Sequence, residues 1–450
     1  MAEVACPCNG YGRLPLLRYR HAGAGIRGGM TESIDAAQDV PTHPLADAAA
    51  AARGFDLKRL PADFIDDPFP YYAALRQHDP MHRMPDGAYM ITRWRDCDAV
   101  YRDARTFSSD KKVEFLPKYG DAPLYRHHTT SLVFNDPPLH THVRRAIQGA
   151  LSNRVIAETE GGLVALVDRL LDAIAEKGRA DVIEDFAAAI PVEIIGNLLG
   201  VPHADRGPLR GWSLAILGAL EPVLTAEQLE RGNDAVRDFS SYLAGLIAER
   251  RRAPGDAEKD LLTRLLHGEH EGRKLSEVEL TQNCIFILNA GHETTTNLIG
   301  NALNIFIRVP AERRRLIENP GLTKSAVEEV LRFESSNQLG NRGVAQDTVL
   351  GGVPMPKGTL VTLCIGAANR DPEAFPDPDR FDVARNPTRH LAFGSGIHMC
   401  AGMSLARLEG RVAIERFLAR FPDYEPDGPA TRSRRARFRG FTALPVRVAG

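Results

Sequence analysis

The chain has 450 residues, with 56 Lys and Arg against 58 Asp and Glu, a formal net charge of −2, 43% hydrophobic residues and 25% charged ones. These values are ordinary for a folded globular protein, and the balanced charge argues against bulk nucleic-acid binding, which shows as a basic excess. No run approaches the ~18–20 uninterrupted apolar residues that a membrane span requires.

Residues 1–45 differ in composition from the rest: Gly and Ala cluster at His21–Gly25, and four Arg stand against one acid before Met30. They read as a disordered N-terminal extension, with Met30 a possible true start. A targeting peptide is the alternative for an Arg-rich, acid-poor segment, although Ser enrichment and an apolar core are missing. Cys6 and Cys8 are too isolated to define a metal site. The six cysteines are sparse, which fits a reducing cytosol better than a disulfide framework.

Residues 46–450 read as one folded domain without a long linker or repeat. A strand-like stretch, Ala88–Trp94, follows the turn at Pro85-Asp-Gly. Helical spacing of apolar residues then dominates over Ile156–Glu176, Asp181–Leu199, Asn233–Arg251 and Asp260–Leu266. Strand patterns return at Thr348–Val353 and Thr359–Ile365. The fold class is mostly α with a minor β component.

The central segment is the most informative. Ser276-Glu-Val-Glu279 is a capping box ahead of an apolar run, and the helix it starts continues to about Ile307, before Pro310. Ile285, Phe286, Ile287 and Leu288 surround that helix, as expected when all its faces are buried. Its middle nevertheless reads Ala290-Gly-His-Glu-Thr-Thr-Thr296. A mid-helix Gly costs ~1 kcal/mol relative to Ala, and a buried carboxylate needs a partner. A core helix that carries polar residues and Gly at its centre points to a site there.

Near the C-terminus stands Phe393-Gly-Ser-Gly-Ile-His-Met-Cys400-Ala-Gly402. Its glycines allow tight turns and close approach to a ligand, and the helix that follows places Cys400 where backbone amides and the helix dipole favour a thiolate. A buried inert cysteine is the plainer reading of any one of these features alone.

Together these residues fill every specified position of F-x-x-G-x-x-x-C-x-G, and the segment resembles the haem-ligating loop of the cytochrome P450 family. The resemblance runs from about Phe64 to Val448. It implies a single large domain with a long central helix over haem b (iron protoporphyrin IX), and Cys400 as the metal ligand, with Phe393 beside it. Glu329-Val-Leu-Arg332 resembles the family's E-x-x-R helix, with Arg380 as the implied third member of a buried structural cluster. His140, Arg144, Arg342 and His398 match positions that hold the haem propionates. His390 reads as structural, His142 as solvated and Arg145 as outward-facing. Ala290, Gly291, Glu293 and Thr294 resemble the oxygen-activation motif, with Gly291 leaving room for dioxygen and a carboxylate–hydroxyl pair managing protons.

The resemblance therefore implies a monooxygenase that takes O2, a small-molecule organic substrate and electrons from separate proteins, ferredoxin and ferredoxin reductase. It implies a cytoplasmic location, with neither nucleic acid nor membrane as a partner. A peroxygenase of the same fold is disfavoured by the Glu293-Thr294 pair, and a non-catalytic haem protein by the same motif. The substrate pocket is expected from Phe107–Leu132 (with Phe107, Phe115, Tyr119 and Tyr125), Arg206–Gln228, the central helix and Ser335–Gly340. Residues 401–450 hold ten Arg, no Lys and five acids. Arg407, Arg411 and Arg416 read either as a locally paired, solvated face or, with Arg145, as a docking patch for an acidic ferredoxin.

Overall fold

The computed structural model describes residues 44–448 apart from 258–259 and 271–272. The expectations for the N-terminal extension, Met30, Cys6 and Cys8 lie outside the described residues. What is described belongs to one compact unit, predominantly helical, with a small sheet on one side.

The helices that matter for the site are, in chain order, α1 (Pro123–Thr130), α2 (Leu139–Ala150), α3 (Asn153–Lys177), α4 (Ala189–Leu199), α5 (Ala226–Arg252), α6 (Glu277–Arg308), α7 (Thr323–Phe333) and α8 (Met403–Arg420). The main sheet contains β1 (Met81–Arg83), β2 (Tyr89–Ile91), β3 (Phe107–Ser108), β4 (Leu339–Val344) and β5 (Leu360–Cys364), in the order β1-β2-β5-β4-β3. Only the β5–β2 pairing is parallel.

The α6 helix starts as its sequence dictates: Ser276 accepts from the Glu279 amide while the Glu279 carboxylate accepts from the Ser276 amide. Its 32 residues span ~48 Å at 1.5 Å per residue. Most of its side chains are buried, including Asn283, Asn289, His292, Glu293 and Asn301. It runs through the main hydrophobic core, packed against α4, α5 and α8.

Two local expectations change. Asp181–Leu199 is not one helix: Arg179–Asp181 pairs as a strand with Pro445–Arg447, Val182–Ala187 forms a wide helical turn, and α4 follows. The break is held by the Asp181 carboxylate, which accepts from the Ile183 and Leu444 amides. Thr348–Val353 likewise divides into strands Thr348–Leu350 and Val353–Met355, because Gly351 and Gly352 turn the chain at φ of 56° and 84°.

The E-x-x-R cluster forms with a different third member. Glu329 and Arg332 are fully buried and bonded twice, at 2.7 and 2.8 Å. Arg385, rather than Arg380, donates its Nε to Glu329 Oε1 at 3.0 Å. Arg380 is exposed and contributes only its carbonyl, which accepts from Arg332 and Arg385. The Pro376–Arg385 segment curls so that its carbonyls point at both guanidinium groups.

Candidate functional site

The loop that carries Cys400 takes its shape from two glycines in the left-handed region, Gly394 at φ 67° and Gly396 at φ 68°. A Cβ on Gly396 would lie 2.3 Å from the Tyr101 carbonyl oxygen, so that position is closed to other residues by contact as well as by backbone conformation. The Cys400 amide donates to the Phe393 carbonyl at 2.8 Å and closes the loop. The Arg407 guanidinium lies 4.8 Å over the Phe393 ring. Burial pushes the Cys400 thiol up, while the Gly402 amide and the charges of Arg144 and Arg407 pull it down.

Cys400 and Phe393 line a cavity of about 330 Å³ that they share with Ala290, Gly291, Thr294, Arg144, Arg342 and His398. Sites far apart in sequence thus meet in one place. His140 is buried with its ring centroid 4.1 Å from that of His398. Arg144 donates to the Met399 carbonyl at 2.6 Å. Arg342 donates to the Asn341 carbonyl at 2.7 Å and stacks 5.0 Å over the Tyr101 ring. Among the described residues neither arginine pairs with a carboxylate, and the buried Nε2 of His398 has no hydrogen-bond partner. Burial and the charges of Arg342, His140 and Arg144 hold the His398 pKa far below its usual value. A thiol at one wall and under-bonded cationic and imidazole groups at the rim suit a metal macrocycle with anionic side arms.

The residues expected to activate oxygen divide across α6. The Thr294 hydroxyl lines this cavity and donates back to the Ala290 carbonyl at 2.8 Å. Glu293 lines a second, more polar cavity of about 720 Å³ together with His292 and Arg435. One Arg435 nitrogen donates to both Glu293 carboxylate oxygens, at 2.6 and 2.7 Å. Burial pushes the Glu293 carboxyl up, against Arg435. On the side of Gly291 where a Cβ would stand, Cδ1 of Ile195, an α4 residue that also lines the cavity, lies 2.8 Å away, so the glycine lets α4 and α6 approach closely at the cavity wall.

Other expectations are corrected by packing. His142 is buried, not solvated. Phe107, Phe115, Tyr119 and Tyr125 do not line the cavity; Phe115, Tyr119 and Phe134 instead ring His128, with centroids 5.2–5.7 Å apart in pairs that include it and each other. Arg407 pairs with Glu328, Arg411 with Glu160 and Glu415, and Arg416 with Asp168. This favours the locally paired face over a docking patch. His390 bonds Glu328 at 3.0 Å, a structural contact.

The cavity also presents residues that sequence reasoning missed. Asn289 is buried with both amide atoms lacking partners, and His128 Nε2 and Arg437 Nε are likewise without partners. Glu409 on α8 is buried, its Oε1 has no hydrogen-bond partner, and burial pushes its carboxyl up to about 8 while the neighbouring Thr295 pulls it down. The adjacent pair His127-His128 stood in a segment already assigned to the pocket, whereas Arg437 and Phe438 lay outside every such segment, and only the fold brings them to the cavity.

Comparison with known proteins agrees with this geometry. The Cytochrome P450 family model matches residues 215–428. The chain is 33% identical over 402 residues to the polyketide biosynthesis cytochrome P450 PksS of Bacillus subtilis, covering 85% of this chain and 96% of that protein. It is 38% identical over 365 residues to the vitamin D(3) 25-hydroxylase of Pseudonocardia autotrophica, covering 80% and 88%. The crystal structure of P450BioI in complex with hexadec-9Z-enoic acid ligated acyl carrier protein superposes with a TM-score of 0.82 at 33% identity, covering 86% of this chain and all of that one. The protein is a haem-thiolate enzyme, and within that class it belongs to the bacterial cytochromes P450. As such it is a monooxygenase whose cofactor is haem b. No described helix is long and apolar enough to cross a membrane.

Proposed function

We propose that this chain inserts one oxygen atom of O2 into a small organic substrate, with electrons delivered in the cytoplasm by a ferredoxin and its reductase. The observation that carries the reading is the convergence of Cys400 and Thr294 on one cavity whose rim holds Arg144, Arg342 and His398. Bound haem supplies the oxygen-activating chemistry, which a thiolate ligand promotes by donating electron density. Cys400 would be the ligand to its iron, with Phe393 closing the loop through its carbonyl, which accepts from the Cys400 amide. Arg144, Arg342, His140 and His398 would hold the propionates. Ala290 and Gly291 keep α6 thin over the site, and Ile195 lines the same cavity against Gly291.

Proton supply is divided between the two faces of α6. Glu293 takes protons from the second cavity when its hold on Arg435 loosens. The Thr294 hydroxyl turns from the Ala290 carbonyl to hold a water and pass the proton inward. In the balanced reaction a C–H bond, O2, two electrons and two protons give an alcohol and water.

The test is the carbon monoxide spectrum of the reduced holoenzyme, which should show the thiolate band. Cys400→Ser should move that band to a position typical of non-thiolate haem and abolish turnover. An unchanged band would remove Cys400 from the role. Electron transfer from ferredoxin is measured separately; hydroxylation driven by peroxide alone, with no response to the donor pair, would favour a peroxygenase.

A further inference from the structure

Arg437 is a cationic group in the cavity that the haem reading leaves unused. It lines the cavity beside Asn337 and Phe438, and an isolated β-bridge between Asn337 and Phe438 joins its segment to the loop leading into β4. Two contacts fix the direction of its guanidinium. Nη1 donates to the Leu339 carbonyl at 2.8 Å, and Nη2 donates to the Asn341 side-chain oxygen. Both acceptors are neutral, the buried Nε has no partner, and no described carboxylate pairs with the group. Glu221 is the acid whose charge reaches it, but that carboxylate accepts from the Ala436 and Arg437 backbone amides. Lys118, which donates to the Glu221 carbonyl at 2.8 Å, adds another cation to the neighbourhood, so the local balance is positive.

A fixed, partly desolvated guanidinium with an open N–H is a carboxylate receptor, because charge-assisted hydrogen bonds gain most where water is excluded. Much of the cavity wall beyond it is apolar, with Ile195, Leu217, Leu220, Phe286 and Ile287. Resting on the monooxygenase reading above, we propose that Arg437 anchors the carboxylate of an organic acid whose apolar body extends along this wall. The substrate class is therefore amphiphilic carboxylic acids, held at one end and oxidised away from it.

The test uses the holoenzyme and three probe acids, dodecanoic, tetradecanoic and phenylbutanoic, each compared with its methyl ester by the haem spin-state shift. At least one acid should bind about ten- to hundredfold more tightly than its ester, the range expected for a hydrogen bond to a charged group. Arg437→Gln should bring that pair to parity, and Arg437→Lys should restore part of the difference. Parity in the unaltered enzyme, failure of every acid to bind, or an acid preference that survives in Arg437→Gln would overturn the proposal. So would loss of haem from Arg437→Gln, which would assign the arginine to the propionates. Absence of the thiolate band in the unaltered enzyme is a separate outcome: it overturns the monooxygenase reading and the anchor with it.

Discussion

The buried cluster at Glu329 and the rim of the cavity at Arg342 are both rich in arginine, yet their charges are treated in opposite ways. Around Glu329, each guanidinium is matched: Arg332 and Arg385 reach the carboxylate and spend their other N–H groups on carbonyls of Asn369, Pro376, Asp377, Pro378 and Arg380. At the rim, Arg342 and Arg144 have backbone carbonyls and no described carboxylate. Burial in both places costs several kcal/mol per ion unless partners compensate. A cluster that supplies its own partners is structural, while one that lacks them is waiting for an anion from outside the chain. That difference, rather than the number of charges, separates scaffold from site.

Exchanging the two kinds of arginine tests the distinction most directly. Arg332→Leu leaves Glu329 buried with Arg385 as its one cationic partner, beside the Asp382 amide, and should cost about 3–5 kcal/mol of stability, read by chemical denaturation. A loss below ~1 kcal/mol would show that the cluster is dispensable. Arg342→Gln should have the reverse profile: little change in the stability of the haem-free chain, but faster loss of haem to an acceptor protein. If haem loss is unaltered, Arg342 does not hold a propionate.

Thr294→Ala should leave both clusters, and haem content, intact while uncoupling the cycle, so that reductant consumption continues with more peroxide and less product. Unaltered coupling would leave proton delivery to Glu293 alone. The smallest effect is expected at Glu409, a buried acid whose Oε1 has no hydrogen-bond partner. Its pKa is raised on folding to about 8, so between the ordinary carboxylate range and pH 8 the folded chain holds a proton that the unfolded chain has lost. Its contribution to stability is present at low pH and lost as pH rises, by at most about 1.4 kcal/mol per pH unit. Glu409→Gln should therefore flatten the decline in melting temperature between pH 6 and 8. A decline identical to that of the parent would place the titration elsewhere.

Several features of the protein were legible in residue order because each depends on neighbours a few positions apart. The capping box at Ser276 and Glu279, the i,i+3 pair Glu329 and Arg332, and the left-handed glycines ahead of Cys400 are closed by contacts within one element or one loop. Period and propensity act over the same range, so α6 was expected to end at Ile307 and ends at Arg308. Tertiary structure alone decided the contacts made across long stretches of chain. Arg385 rather than Arg380 completes the Glu329 cluster, because the chain between them curls back on its carbonyls. Glu293 and Thr294, adjacent in sequence, face different cavities, because consecutive helical residues point about 100° apart and α6 is enclosed on every side. The arginines of α8 meet Glu160 and Asp168 of α3 across about 250 residues of sequence. Whether a charge is spent within the chain or left for a ligand is set by where its would-be partners fold, and residue order alone does not carry that information.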